Sequence, residues 1–425
     1  MMSPVNSVLF LSGDDFKAKS IQVIRKTPEA YVKAGWKVIY IVARDSSNKG
    51  NYYYEDPIVP EGVDVRRFEI PGTNLLNKLN NKVLVAVLVR LRRYLAIIML
   101  FLKGRRYLAG NKVDVLYGYE MPGFLAARLL KVFRLSGKSR VIARFQGVVF
   151  VREWLRRGYW QRKVTNAETF YGLRTSSDLC IMTNDGTEGD WVLRQLSSKH
   201  LNNLRFLVNG VDQTPADPAK SLEYRKSLGL DAVAHVWISV SRLDDHKRVD
   251  RCLRTFAHAT MQLGLIDAHY VIVGEGAKRT EFEMLAESLG ISSSVTFLGA
   301  VNQSEVKHIL GAADVFISMY EGSNVGNPLI EAIQANKLIV TLNNGGTGNW
   351  IQHNYNGLIY DIDDAKDLQQ TEVETIAVDV VAVLKNESEQ VRLKANLETT
   401  RSEKIWSWED RFKAELSAVE KLLHI

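Results

Sequence analysis

Cysteine is scarce in this chain, with only Cys180 and Cys252 in 425 residues. The two lie far apart with no partner at metal-ligand spacing, which argues against a disulfide scaffold or a zinc site and favours a reducing compartment. Long apolar runs are also missing. The richest stretches, Val83–Val89 and Leu95–Leu102, are each too short to cross a bilayer, and Arg90, Arg92 and Arg93 interrupt them. The opening "MMSPVNSVLFLSGDD" has no basic segment ahead of its short apolar run, so no signal peptide is expected and "VNSVLFLS" reads as a first buried strand. There is no internal repeat of about 20–50 residues and no low-complexity segment, which excludes solenoids and disordered linkers as the main architecture.

What is present suits a soluble globular protein: 46% apolar and 24% charged residues. The length fits two domains of about 200 residues better than one core. Both halves alternate short apolar runs with helical patterns, the mark of βαβ units and parallel sheets. The first half offers "SVLFLS", "KVIYIVA", "VDVLYGY", "SRVIARF" and "DLCIMTN"; the second offers "HVWISVS", "HYVIVGEG", "VTFLG", "DVFISMY" and "LIVTL". Between them, "NNLRFLVNGVDQTPADP" ends in a Pro- and Asp-rich tail that reads as a linker. The pattern predicts an α/β pair of Rossmann-like domains, with ligands at the carboxyl ends of the strands and in the cleft between the halves.

The net charge of +7 conceals an asymmetry: residues 1–212 carry 34 Lys and Arg against 18 Asp and Glu, whereas residues 213–425 carry 21 against 30. A basic half suggests an anionic partner surface. Residues 76–108 concentrate it, with eight basic residues and no acidic one between Lys78 and Arg106. A basic helix with a heavy apolar face can lie on an anionic membrane surface, and "REWLRRGYWQRK" (Arg152–Lys163) adds aromatics suited to headgroup depth. The plainer alternative is a core helix with a solvated basic side. Nucleic-acid binding is disfavoured, because the basic residues interleave with aliphatic runs rather than with stacking aromatics.

Three short segments carry candidate chemistry. In "SVSRLDDHKRVD" a strand ends at Ser241, and Arg242 and Lys247 follow in the turn and early helix, a cation pair suited to a diphosphate. In "VIVGEGAKR", Gly274 and Gly276 let the backbone approach a ligand, although a tight βα turn explains them equally well. In "SMYEGSNVGNPLIEAIQANKLIV", Pro328 suits the first turn of a helix, and Gly326 and Asn327 leave amides pointing out of its positive end, with Leu329 in the same turn. Glu331 follows one turn in, where a carboxylate can accept hydrogen bonds from ribose hydroxyls or merely complement the helix dipole.

In order and spacing, "NGVD" (Asn209–Asp212), "SRLDDHK", "VGEGAKRTEFEMLAESLGISSSVTFLGAV", "AADVFISMYEGSNVGNPLIEAI" and "NNGGTGNWIQHNYNGLIYD" resemble the second domain of retaining glycosyltransferases of family 4, closely over about residues 205–365 and more loosely over residues 7–200. The resemblance implies a GT-B fold: residues 1–205 as an acceptor-binding domain, 206–405 as a nucleotide-sugar domain, and a closing helix at 406–425 that crosses back to the first domain. It implies that Arg242 and Lys247 neutralise the donor diphosphate, that Glu331 holds the ribose, and that Gly326, Asn327, Pro328 and Leu329 meet phosphate and sugar. It further implies that Gly299 and Val301 read the base and that Gly13 covers the donor phosphates from the first strand–helix loop.

Two positions depart from that pattern. Eight residues before Glu331, where the family has a first glutamate that positions the sugar, stands Ser323, followed by Asn324; Glu321 serves only after a two-residue insertion, and both readings stay open. Where the family often has a histidine after a first-domain strand, this chain has Gln146, with Arg144 just before it as either a supplementary charge or a surface arginine. The function implied is retaining transfer of a sugar from a nucleotide-diphospho-sugar, UDP being the commonest in the family, to an acceptor hydroxyl. A lipid-linked glycan in cell-surface polysaccharide synthesis is the expected acceptor, with a cytoplasmic enzyme held peripherally on the inner membrane face. No Asp-x-Asp pair stands near the donor site, so no metal or other cofactor is expected. The alternatives are a soluble acceptor, a non-catalytic nucleotide-binding subunit, or an epimerase on the same architecture. Sugar, base, acceptor and oligomeric state are not specified by these residues.

Overall fold

The computed structural model describes residues 5–16, 22–47, 56–159, 161–362 and 368–424. The chain divides into two compact units, one formed by Met1–Asn184, Gly189–Val208 and Asp410–Ile425, the other by Asp185–Glu188 and Asn209–Glu409.

The first unit is built on β1 (Ser7–Ser12), β2 (Lys37–Arg44), β3 (Asp64–Glu69), β4 (Val115–Tyr119), β5 (Arg140–Phe145), β6 (Leu179–Thr183) and β7 (Leu204–Leu207). They pair in parallel in the order β3-β2-β1-β4-β5-β6-β7. The central strands are continuous apolar runs because helices cover both faces of such a sheet; every residue of β1 and β4 is buried. Two strands escape an apolar-run reading. β3 is "DVRRFE", an edge strand whose charges discourage further pairing, and β7 lies in the stretch between the halves, ahead of the tail read as linker.

The basic stretch at 76–108 is two helices rather than one. Thr73–Lys78 ends at Leu79, and Lys82–Leu108 begins afresh with Asn81 as its cap, Oδ1 accepting from Val83 N and Leu84 N at 3.0 and 3.2 Å. The longer helix packs on Glu120–Val132, and Gly104 permits the approach, since a Cβ there would lie 2.8 Å from Leu130 Cδ1. One of its arginines is internal: Arg92, only 3% exposed, donates to Asp45, to the Pro71 carbonyl and to Thr73. In the second aromatic stretch, Trp154 packs against the core instead of standing clear of it, while Trp160 lies outside the described residues.

The last helix, Trp408–Leu423, returns to the first unit, as the family resemblance implied. Arg411 and Glu415, both fully buried, pair at 2.7 Å, and Glu415 Oε1 accepts from Tyr117 OH at 2.7 Å and Tyr31 OH at 3.4 Å. One carboxylate thus ties the closing helix to β4 and to the helix Gln22–Lys33.

The second unit holds β8 (His235–Val240), β9 (Ala268–Val273), β10 (Val295–Gly299), β11 (Val315–Ser318), β12 (Leu338–Leu342) and β13 (Leu358–Tyr360), parallel and ordered β10-β9-β8-β11-β12-β13. Its core centres on Trp237, Phe256 and Tyr270. The strand order reverses between β8 and β11. In such sheets that switch point opens a crevice at the carboxyl ends of the strands, where ligands bind. Among the described residues no helix is long and apolar enough to cross a membrane.

Candidate active site in the second unit

The loops leaving β8 and β11 meet at this switch point and carry most of the residues singled out above. After β8, Asp244 caps the following turn, its Oδ1 accepting from His246 N at 3.1 Å and Lys247 N at 3.2 Å, and its other oxygen pairs with Arg242 at 3.2 Å. The turn delivers the Lys247 ammonium over the Tyr320 ring, 3.9 Å from its centroid. Tyr320 is itself fixed, donating its hydroxyl to the Val240 carbonyl at 2.9 Å. Burial lowers the Lys247 pKa to about 8, with Asp244 and Asp185 opposing the shift and Arg242 adding to it. Lys247 therefore remains mostly charged at neutral pH while being poorly solvated. Such a cation gains most from a polyanion.

Gly274 and Gly276 position Arg242 by letting two loops touch. A Cβ on Gly274, whose φ is 143°, would lie 1.7 Å from the Ser241 carbonyl, and one on Gly276 would lie 2.3 Å from that of Leu243. Leu243 N donates to Glu275 O and Lys278 N to Leu243 O, closing the seam. Their packing role is thus established by geometry. Gly299, at φ 79°, ends β10 and accepts from Gly274 N at 2.9 Å, so the loop bearing Gly299 and Val301 continues the same layer.

The helix Asn327–Gln334 starts after extended Gly326, with Pro328 in its first turn and no side-chain cap. Ile330 N bonds to Gly326 O, whereas the Asn327 and Leu329 amides show no partner among the described residues. The Leu329 side chain is buried, so only its backbone can contribute. Asn327 Oδ1 accepts from Asn209 Nδ2 at 2.8 Å, which brings "NGVD" to this helix. Glu331 accepts from Gln303 Nε2 at 3.1 Å and lines a cavity of about 190 Å³ shared with Gln303, Lys307 and Asp212. Gln303 opens the helix that follows Val301, so it links Glu331 to the loop expected to read the base.

Neither candidate for the first acidic position presents a loose carboxylate. Glu321 accepts from Arg248 at 3.0 Å and faces His246 at 3.6 Å, and its amide donates to the His246 carbonyl. The hydrogen bond with His246, then that with Arg248, holds its pKa down to about 2 against the effect of burial. It staples the two loops. Ser323 donates to the Asp185 carbonyl at 2.8 Å and accepts from Val325 N. Asn324, 1% exposed, accepts from Tyr320 N and donates to Asn344. Its side chain belongs to the interior, contrary to the donor-binding role expected of it.

In the first unit, Gly13 follows β1 with Pro122 against it, 3.3 Å from the position of a Cβ. Gln146 N donates to Glu120 at 2.6 Å and its amide to Tyr119 OH at 2.5 Å. Arg144 corrects the sequence reading: it is neither a surface arginine nor available to an acceptor. It is wholly buried, donating to the Phe145 carbonyl and to Thr183 Oγ1. Sequence reasoning also missed Tyr320, Asp244 and Gln303. Asp244 alone left a signal, an aspartate placed to cap the turn before Lys247.

Residues 220–396 match the family model for glycosyl transferases group 1. Over 167 residues the chain is 30% identical to the GDP-mannose-dependent alpha-(1-6)-phosphatidylinositol monomannoside mannosyltransferase of Mycobacterium tuberculosis, covering 37% of this chain and 43% of that one. Over 204 residues it is 24% identical to the N-acetyl-alpha-D-glucosaminyl L-malate synthase of Bacillus anthracis, covering 48% of this chain and 51% of the synthase. The chain thus spans about half the length of these curated relatives or less. The UDP complex of HepE from Anabaena aligns with a TM-score of 0.70 over 98% of this chain and 100% of its own, at 13% identity. That likeness establishes the fold, two parallel-sheet Rossmann-like domains of the GT-B type.

Proposed function

We propose that the chain is a retaining glycosyltransferase that moves a sugar from a nucleotide-diphospho-sugar to an acceptor hydroxyl. The observation that carries this reading is the Lys247 ammonium, poorly solvated over Tyr320 and joined to Arg242 through Asp244 at the switch point of the second sheet. As the bond between sugar C1 and the diphosphate oxygen breaks, its electron pair leaves with that oxygen. Lys247, Arg242 and the Asn327 and Leu329 amides stabilise the charge that develops there. The acceptor oxygen bonds to C1 from the same face, and its proton passes to the departing phosphate oxygen. Glu331 holds the ribose, supported by Gln303. Two side-chain cations supply the counter-charge, so the reaction needs no divalent metal.

UDP is the proposed nucleotide and a lipid-linked glycan the proposed acceptor, at an anionic membrane surface. The long helix of the first unit supports this: Leu84, Val87, Leu91, Tyr94, Ile98 and Leu102 recur at three- and four-residue spacing on one face, each between 40% and 53% exposed or, for Leu91, 60%. Exposed Lys82, Lys103, Arg105 and Arg106 stand on the same helix. An apolar stripe among cations suits insertion at the headgroup boundary.

The test incubates the full chain with UDP-glucose, UDP-N-acetylglucosamine and GDP-mannose, with and without chelator, and follows release of nucleotide diphosphate. Chelator-resistant release from one donor is expected, and the anomer of the product reports retention. Tight binding of a nucleotide with no release from any donor would favour a binding subunit instead. Flotation with anionic vesicles separates the acceptors: absence of binding at low salt points to a soluble one.

A further inference from the structure

The loops that leave β11 and β12 are joined by a buried ladder of amides. Asn344, just past β12 and 5% exposed, donates from Nδ2 to the Tyr320 carbonyl at 2.6 Å. Its Oδ1 accepts from Asn324 Nδ2 at 2.9 Å, and Asn324 Oδ1 in turn accepts from Tyr320 N at 2.9 Å. Both backbone polar groups of Tyr320 are therefore held by one asparagine pair. Thr347, wholly buried, closes the ladder: its hydroxyl accepts from Asn324 N at 3.1 Å and donates to the Asn344 carbonyl at 2.7 Å. The loops approach closely, since a Cβ on Gly345 would lie 2.7 Å from the Gly322 carbonyl. What the ladder holds is the ring against Lys247, whose ammonium stands 3.9 Å from the centroid.

Burying two amides is costly unless every partner is matched, and a matched network fixes one arrangement of the chain around it. Apolar packing alone would leave the Tyr320 N–H and carbonyl without these partners. We propose that Asn324 is a positioning residue of the donor site, which with Asn344 fixes the backbone of Tyr320 and so the ring that carries the Lys247 ammonium. An amide suits this place because it accepts from Tyr320 N while donating to Asn344 Oδ1, which neither a carboxylate nor a hydrocarbon can do. Lys247 needs such support. A cation over a ring gains most when it is held close and out of water, and a tilt of the ring would return it to solvent. The inference rests on the donor-site reading above, and concerns how the cation is held rather than whether it meets a diphosphate.

The test measures kcat/KM of the full chain across pH, on the donor found active, for the parent, Asn324→Ala, Tyr320→Leu, their double variant and Lys247→Met. Asn324→Ala and Tyr320→Leu should each lower kcat/KM about 10- to 30-fold, the equivalent of losing a desolvated cation–π contact. The double variant should fall within about twofold of Tyr320→Leu, because the amide acts through the ring. In Asn324→Ala the decline of kcat/KM at alkaline pH should move upward, as Lys247 regains water. Losses that add in the double variant overturn the proposal. So does a lower kcat/KM with the alkaline limb unmoved, which marks a structural role. Should Asn324→Ala fail to fold, Asn344→Ala replaces it in the same cycle, since it leaves the bond from Tyr320 N to Asn324 in place. If Lys247→Met loses turnover while Asn324→Ala stays within about twofold of the parent, this proposal alone fails. If Lys247→Met turns over like the parent, the donor-site reading fails and takes the proposal with it.

Discussion

The two units differ in where their most telling cations sit. The first closes cations into its interior: Arg411 against Glu415, Arg92 against Asp45, and Arg144 beneath Tyr119. The second also buries one arginine, Arg251, but leaves Arg242 and Lys247 partly exposed at its switch point, both held by Asp244. A buried pair is satisfied by its partner and gains nothing from a ligand. A desolvated cation with incomplete compensation is where an incoming anion gains most. Within residues 1–212, Arg92 and Arg144 are thus withdrawn from any anionic partner, while the acidic second half holds the proposed anion site.

The largest effect should come from opening a closed pair. Glu415→Ala strands Arg411 and removes the acceptor of Tyr117, so a stability loss of about 3–5 kcal/mol is expected, read by denaturant unfolding of the full chain. Loss below about 1 kcal/mol would break the contrast. At the site the expectation is reversed. Lys247→Met should lower turnover by about 10²-fold or more yet leave stability unchanged or raised at pH 7. The sign follows from its pKa of about 8 in the fold against about 10.4 in an unfolded chain. Between those values the fold binds fewer protons, so the charged group opposes folding at neutral pH and that cost disappears as pH rises through the interval.

A third variant separates surface from site. Replacing Leu91 and Ile98 with Asp should weaken binding to anionic vesicles about tenfold or more, since each exchange removes apolar burial and adds a repelled charge. UDP binding should not change. The smallest effect is on pH dependence: kcat/KM should decline as pH rises through about 8, where unliganded Lys247 loses its proton. Lys247→Arg should move that limb out of range even if its activity is lower.

Much of the fold was legible because central parallel strands must be apolar throughout, as β1, β4 and β12 are. β3 and β7 were hidden, being edge strands whose outer faces tolerate charge. At the site, Arg242, Lys247 and the Gly326–Pro328 turn were readable from local order, since a strand end and a helix start leave short-range marks. Burial does not. Nothing beside Arg144 in the sequence says that it lies under Tyr119, and nothing around Asn324 shows that Tyr320 and Asn344 enclose it. Asp185 was invisible for a related reason: it joins Ser323 across 138 positions of chain.

The central claim, that a desolvated lysine grips the diphosphate, is tested most directly by proton linkage. Binding of UDP and of GDP is measured calorimetrically at pH 8 in two buffers of different ionisation enthalpy, for the parent chain and for Lys247→Met. With a pKa of about 8, Lys247 is half protonated there and the bound diphosphate completes it. Uptake of about half a proton per complex is predicted, disappearing in Lys247→Met. Binding without proton uptake, equal uptake in the variant, or no binding of either nucleotide would contradict the account.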